Sequence, residues 1–146
     1  MKQNGYYIGI DPGEHTGVAV WDAARQEFLQ VEALPLHRAF ELVRQYAATS
    51  RPCTIICEDA RKRTWFPQER NNSEYRGRLM GAGAAKRDAK IWEEFLSDLP
   101  GITFRMTRPQ IHGTKWNAEQ FKQYTGYAGR TNEHTRDAAL LVYGRH

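Results

Sequence analysis

Two acidic residues follow apolar segments that lie far apart in the chain. Asp11 comes directly after residues 6–10, and Glu58 comes directly after residues 54–57. The branched and aromatic content of both segments is typical of buried strands. A carboxylate at the end of a buried strand is held in place where a metal ion can reach it. An Asp-Pro-Gly turn is also an ordinary way to end a strand, so Asp11 alone leaves both interpretations open.

A third acidic residue lies near the C-terminus, three positions after a histidine. In a helix this spacing places His134 and Asp137 on one face, about one turn apart. The apolar residues after Asp137 would dock the helix on a sheet. Aspartate is unfavourable inside a helix by propensity, so its position requires a further reason. Pairing with nearby basic residues is the structural alternative to a catalytic role.

Carboxylates from three distant parts of a chain are what a divalent-cation site requires. Mg²⁺ prefers carboxylate oxygens and keeps several of its waters. Two such ions about 4 Å apart can activate a water on one side of a phosphodiester and stabilise the leaving oxygen on the other. The residue chemistry therefore predicts metal-dependent phosphodiester hydrolysis. The predicted catalytic and metal-binding residues are Asp11, Glu58, His134 and Asp137.

Positive charge is concentrated in residues 61–90. This segment has nine basic and three acidic residues, a net charge of +6, whereas the whole chain carries +4. Lysine and arginine bind phosphates, and the aromatic residues between them can stack on bases, so the segment predicts contact with nucleic acid. A solvated face and rings that cover the core are the alternatives. The predicted DNA-binding residues are Arg61, Lys62, Arg63, Trp65, Phe66, Arg76, Arg78, Lys86 and Arg87.

The elements that must position these residues follow from periodicity and end signals. Alternation and apolar content predict strands, whereas apolar residues at three- and four-residue spacing predict helices. Asn117 or Thr114 would cap one late helix, and Thr131 or Asn132 the last. The predicted order is βββαβαβαα, a mixed sheet with helices on its faces. The strands are 6–10, 17–21, 27–33, 54–57 and 102–106, and the helices begin near 35, 81, 117 and 133, the last ending at 143.

Length and composition predict a single domain over residues 1–146. The hydrophobic content of 40% suits a packed core, and no apolar run approaches the ~20 residues that span a bilayer. The first residues lack the apolar stretch of a secretory signal, so we expect a cytoplasmic protein without a membrane partner. Cys53 and Cys57 share one face of a predicted strand, and we expect reduced, buried thiols.

Several of these motifs together resemble the RuvC-type Holliday-junction resolvases of the ribonuclease H-like superfamily. They are residues 9–13 with Thr16 and Gly17, the strand that ends at Glu58, the Gly- and Ala-rich segment 81–96, and the terminal His-x-x-Asp-Ala-Ala-Leu. The resemblance implies a mixed five-stranded sheet, its first three strands antiparallel, flanked by helices on both faces. It also implies a homodimer that uses two Mg²⁺ ions, or Mn²⁺, to nick a four-way DNA junction symmetrically.

Residue by residue, the resemblance assigns Asp11 as the first-strand acid, Glu58 as the second acid and Asp137 as the last-helix acid. His134 stands where many members carry aspartate, and a neutral imidazole is a poorer ligand for Mg²⁺. Trp65 and Phe66 follow the second acid, where the family carries an aromatic wedge. The small residues near position 81 would lie near a dimer interface.

Two other functions remain open from the sequence. One is a different ribonuclease H-like nuclease, such as the YqgF-type RNA-processing group, and the other is a non-catalytic module that binds DNA junctions. The segment 61–78 is longer and more basic than the corresponding segment of the resolvase pattern, and the segment 113–130 does not match that pattern closely. The choice among branched DNA substrates therefore stays open.

Overall fold

The computed structural model describes residues 4–62, 73–109 and 116–146, with the backbone alone for 73–79. In chain order, the described elements are β1 (Tyr6–Asp11), β2 (His15–Asp22), β3 (Glu27–Pro35), α1 (Leu36–Ala47), β4 (Cys53–Glu58), a 3₁₀ turn (Ala60–Lys62), α2 (Ser73–Asp98), β5 (Thr103–Thr107), α3 (Ala118–Thr125) and α4 (Glu133–Leu140). The predicted order βββαβαβαα is confirmed over these residues.

The strands form one sheet in the order β3-β2-β1-β4-β5. β2 pairs antiparallel with β1 and β3, whereas β4 pairs parallel with β1 and β5. Ile10 of β1 lies opposite Cys57 of β4, so the C-terminal ends of these two strands reach the same edge of the sheet. This topology confirms the predicted α/β class, a mixed five-stranded sheet whose first three strands are antiparallel, with helices on both faces.

The sheet separates two apolar cores. Ile55 and Ile56 are neighbours on β4, and because side chains alternate along a strand they enter opposite cores. Trp92 of α2 is fully buried in the core that α1 and α2 cover. Phe121 of α3 and Ala138 of α4 are fully buried in the other core. The sheet is therefore covered by two helices on each face.

The backbone of α4 approaches the sheet closely at two glycines. A Cβ atom on Gly9 of β1 would collide with the carbonyl oxygen of Ala138. A Cβ atom on Gly17 of β2 would lie 2.5 Å from the carbonyl oxygen of His134. Such contacts are too short for a carbon atom, so only glycine permits this approach. The first turn of α4 is thereby held against the ends of β1 and β2.

Side-chain caps determine where the two last helices begin. The Asn132 side chain accepts a hydrogen bond from the Thr135 backbone, and the Thr135 side chain accepts one from the Asn132 backbone. Asn117 forms the same reciprocal pair with Gln120 at the start of α3. Each capping box satisfies two backbone N–H groups that the helix itself leaves without partners. Of the candidate caps, Asn132 and Asn117 are confirmed.

Two predicted helix limits were wrong. α2 begins at Ser73, not at position 81, because a glycine costs a helix only about 1 kcal/mol relative to alanine and its neighbours can carry the helix through it. α4 ends at Leu140, not at 143. Val142 stays buried after the helix has ended, so the apolar pattern continues into the turn that Gly144 closes with a positive φ of 76°.

Both cysteines are buried and unpaired, as predicted. Burial raises the pKa of the Cys53 thiol to about 11 and raises that of the Cys57 thiol well above its ordinary value. Neither thiol is therefore ionised to a significant extent near neutral pH. Within the described ranges, none of the helices combines the length and apolar content that a bilayer crossing needs.

Replacing Gly9 with alanine tests the close approach of α4. We expect Gly9→Ala to lower the free energy of unfolding by about 2 kcal/mol or more, because backbone must move to accept the methyl group. Urea denaturation followed by circular dichroism measures this change. Gly81→Ala is the matched control, since nothing lies within 4 Å of its Cβ position and alanine favours the helix. Equal losses in both variants would contradict the packing argument.

Candidate active site

Asp11 and Glu58 line one cleft at the edge of the sheet. Asp11 is the last residue of β1 and Glu58 is the last residue of β4, so the parallel pairing of these strands brings them together. The cleft has a volume of about 100 Å³. Its other lining residues are Pro12, Ala60, Ala85 and Pro109. Two carboxylates from distant parts of the chain therefore open onto the same space.

His134 on α4 contacts the first of these carboxylates. Its Nδ1 atom lies 3.2 Å from Oδ2 of Asp11. The Asp11 side chain is only 14% exposed, whereas that of His134 is 68% exposed. The donor and acceptor in this contact depend on the tautomer of the ring, and a carboxylate in its ionised form accepts from the tautomer that carries its proton on Nδ1. In the neutral ring this leaves Nε2 as an acceptor.

The close packing of α4 produces this contact. The carbonyl oxygen of His134 rests on Gly17, which pairs with Asp11 across the β1–β2 ladder. His134 and Asp11 are therefore held together although 123 positions separate them in the chain. A larger residue at position 17 would move the first turn of α4 away from the carboxylate.

Asp137 lies one turn further along α4 and is half-buried. The residues that line the cleft do not include it. Among the described residues, no group of three or more histidine, cysteine, aspartate or glutamate side chains is arranged closely enough to hold a metal ion. The structure thus unites Asp11 with Glu58 and Asp11 with His134, and the role of Asp137 remains a prediction.

An ion-pair network around the buried Asp59 holds the chain immediately after Glu58. The Asp59 carboxylate is 2% exposed and accepts hydrogen bonds from Nε and Nη2 of Arg61 at 2.9 and 2.8 Å. Arg61 also reaches Glu93 of α2, with 3.2 Å between Nη2 and Oε1. The backbone N–H of Asp59 donates to the carbonyl oxygen of Thr107 at 2.7 Å. These contacts tie the end of β4 to α2 and β5.

Asp59 is the residue that sequence reasoning missed. It stands beside Glu58, and its spacing of two from Arg61 was the available signal. Arg61 holds the pKa of the Asp59 carboxyl below its usual range, chiefly through their hydrogen bonds. The Asp59 carboxylate is therefore ionised in the folded protein at neutral pH.

The predicted DNA-binding residues have different positions. Arg61 is engaged by the two carboxylates described above, and the Lys62 ammonium donates to the carbonyl oxygen of Met106 at 2.8 Å. Lys86 and Arg87 directly follow Ala85 of the cleft, the first half-buried and the second exposed. Contact with DNA stays a prediction for these four residues. Outside the described residues lie Arg63, Trp65 and Phe66, and the side chains of Arg76 and Arg78.

Among known proteins, only solved structures were found to be similar to this chain. No protein-family model and no curated protein sequence matches the chain. The chain is similar to the structure of Thermus thermophilus RuvC, with 17% identity, a TM-score of 0.47, and coverage of 92% of this chain and 89% of that one. It is also similar to Thermus thermophilus RuvC in complex with a Holliday junction substrate, with 18% identity, a TM-score of 0.49, and coverage of 91% and 87%.

The Asp59 network predicts a stability difference that depends on pH. We expect Asp59→Asn to lower the free energy of unfolding at pH 7 by about 1.5–3 kcal/mol, the range for hydrogen bonds to charged groups. A carboxyl group whose pKa is lower in the folded than in the unfolded protein stabilises the fold at pH values above its unfolded-state pKa of 3.8. This stabilisation is lost as the pH falls through the pKa of the folded state. The difference should therefore shrink at pH 3.

Urea denaturation at pH 7 and pH 3 measures both parts of this expectation. Asp98→Asn is the control, because Asp98 is an exposed aspartate at the end of α2. A loss for Asp59→Asn that is the same at both pH values would contradict the ionic role of the network.

Proposed function

We propose that this protein is a metal-dependent endonuclease that cleaves branched DNA, as the RuvC-type resolvases do at four-way junctions. One observation carries the proposal. Asp11 and Glu58 meet in one cleft at the ends of two parallel strands, with His134 hydrogen-bonded to Asp11. Carboxylates gathered in a cleft repel phosphate unless a cation lies between them. A binding module that contacts DNA through basic residues has no need of such an arrangement.

The donor set fits hard divalent cations. Asp11 and Glu58 would bind one ion through carboxylate oxygens, and His134 and Asp137 would contribute to a second. Imidazole suits Mn²⁺ better than Mg²⁺, so we expect both metals to support activity. When bound, the two ions would activate a water and stabilise the leaving oxygen of the phosphodiester.

The side chains of the chain itself supply position and proton placement. In this proposal the Nδ1–H group of His134 donates to Asp11 and thereby restrains that carboxylate. Nε2 of the same ring is then an acceptor that can orient a water molecule. The Asp59 network holds the end of β4, so Glu58 keeps its place opposite Asp11. These restraints favour one arrangement of the reacting groups.

The substrate and the assembly are part of the same proposal. Basic side chains on α2 next to the cleft, Lys86 and Arg87, would contact phosphates of the cleaved strand. Trp65 and Phe66 would open the branch point. A homodimer would place two clefts on one junction and cut both strands. The motifs that resemble RuvC-type resolvases support this choice of substrate.

Replacing Asp11 tests the catalytic assignment. We expect Asp11→Asn to reduce cleavage of a four-way junction at least about 1000-fold, because it removes a charged metal ligand, and to leave junction binding within about threefold. End-labelled four-way junction, fork, linear duplex and RNA–DNA hybrid, each with Mg²⁺ or chelator, are the substrates to compare. Asp98→Asn is the matched control.

The pattern of cleavage separates the alternatives. Paired, symmetric, metal-dependent nicks in the junction alone would support a resolvase. Cleavage of the hybrid or of RNA alone would instead indicate an RNA-processing nuclease. Tight junction binding without any cleavage would leave a binding module and overturn the catalytic proposal.

His134 provides a test of metal preference. We expect His134→Asp to lower the Mg²⁺ concentration required for half-maximal cleavage by about tenfold, because a carboxylate is a harder ligand than imidazole. The advantage of Mn²⁺ over Mg²⁺ should fall accordingly. Cleavage rates over a range of both metal concentrations measure this. His37→Asp is the control, because His37 is an exposed histidine on α1. A metal preference that is the same in His134→Asp and in the wild type would argue against metal ligation by His134.

A further inference from the structure

A second and larger concavity lies beside the first turn of α4. This groove has a volume of about 530 Å³ and runs between the end of β3 and the loop that leads into α4. β3 is at the edge of the sheet, so no strand of the described chain covers its outer side. The groove residues are Val31, Glu32, Ala33, Leu34, Tyr127, Arg130, Thr131, Asn132 and Thr135. The sequence predictions assigned no function to any of them beyond the candidate helix caps Thr131 and Asn132.

The groove lies close to the candidate active site. Asp11 pairs with Gly17 across β1 and β2, and Gly17 pairs with Ala33 across β2 and β3. Two strand spacings separate Asp11 from Ala33, which amounts to about 10 Å. The first turn of α4, with its exposed His134, lies between them. A strand of DNA advances by about 3.4 Å per nucleotide, so this separation corresponds to about three nucleotides.

Arginine supplies the charge of the groove. Arg130 is exposed and forms no ion pair within the described ranges. Arg136 stands behind the loop, where its Nη1 donates to Oγ1 of Thr131 at 3.0 Å. Its Nε is buried and has no hydrogen-bond partner among the residues that the structure describes. Glu32 is the acidic residue of the lining. The lining thus carries one basic residue, Arg130, and one acidic residue, Glu32, and Arg136 adds a second guanidinium group behind the loop.

Thr131 presents a hydrogen-bond donor to the same space. Because its oxygen accepts from Arg136, the hydroxyl hydrogen must be directed elsewhere. A phosphate oxygen is a strong acceptor for both a hydroxyl and a guanidinium group. The first turn of α4 adds the positive end of a helix dipole beside them. The groove thus offers a charged and a neutral donor to one anion.

We propose that this groove binds the sugar–phosphate backbone of the DNA strand that enters the cleft, about three nucleotides from the cut. This inference rests on the proposed function. Arg130 contacts a phosphate by charge, and Thr131 contacts it by a hydroxyl hydrogen bond held in place by Arg136.

The salt dependence of binding distinguishes the two contacts. In an Asp11→Asn background, which prevents cleavage, the Kd for a four-way junction is measured from about 50 to 200 mM salt. We expect Arg130→Gln to weaken binding about tenfold and to reduce the slope of log Kd against log salt by about one, because one phosphate contact is lost. Thr131→Val should weaken binding severalfold with the slope unchanged, since a neutral hydroxyl releases no counterion.

Lys122→Gln is the matched control, because Lys122 is an exposed basic residue of α3 outside the groove. It should alter neither the Kd nor the slope. If the wild type cuts the junction while Arg130→Gln and Thr131→Val bind it unchanged, the groove proposal is overturned and the nuclease proposal stands. If no variant binds the junction and the wild type cuts nothing, both proposals are overturned.

Discussion

The approach of the α4 backbone to the sheet is the constraint on which the rest of the structure depends. Glycines at positions 9 and 17 let the carbonyl oxygens of Ala138 and His134 rest directly on β1 and β2. A side chain at either position would separate the helix from the strands. The closeness has a chemical consequence, because it carries an imidazole from the last helix to the carboxylate of Asp11 on the first strand. The packing of α4 on the sheet therefore also forms the contact between His134 and Asp11 in the candidate site.

Charge is divided between structural and surface roles. The sequence of the basic segment 61–90 predicts one continuous positive patch. In the fold, however, Arg61 is paired with Asp59 and Glu93, and Lys62 is bonded to a backbone carbonyl. Their charges are engaged in contacts that stabilise the chain around Glu58, although both residues remain exposed. Arg130, far from this segment in the sequence, presents an exposed charge in the groove between β3 and the loop that leads into α4.

The candidate site combines groups that would each work poorly alone. A cleft lined by carboxylates repels DNA, whereas a groove with an exposed arginine can contact a phosphate without cutting the strand. The structure places one beside the other, with the first turn of α4 between them. His134 lies on that turn and touches the acidic side. In the proposed function, binding energy gained in the groove would bring a phosphate to the carboxylates that hold the metal.

The sequence by itself determined the order of elements, two candidate caps for each of the last two helices, and the placement of acids at strand ends. These features follow from local periodicity and from hydrogen bonds between near neighbours. Only the tertiary structure decided that His134 bonds to Asp11 and that Arg61 pairs with both Asp59 and Glu93. It also showed that α2 begins before its glycines. Such partners are selected by distances of a few ångströms between chain segments that only the folded sheet brings together, and local sequence patterns do not encode them.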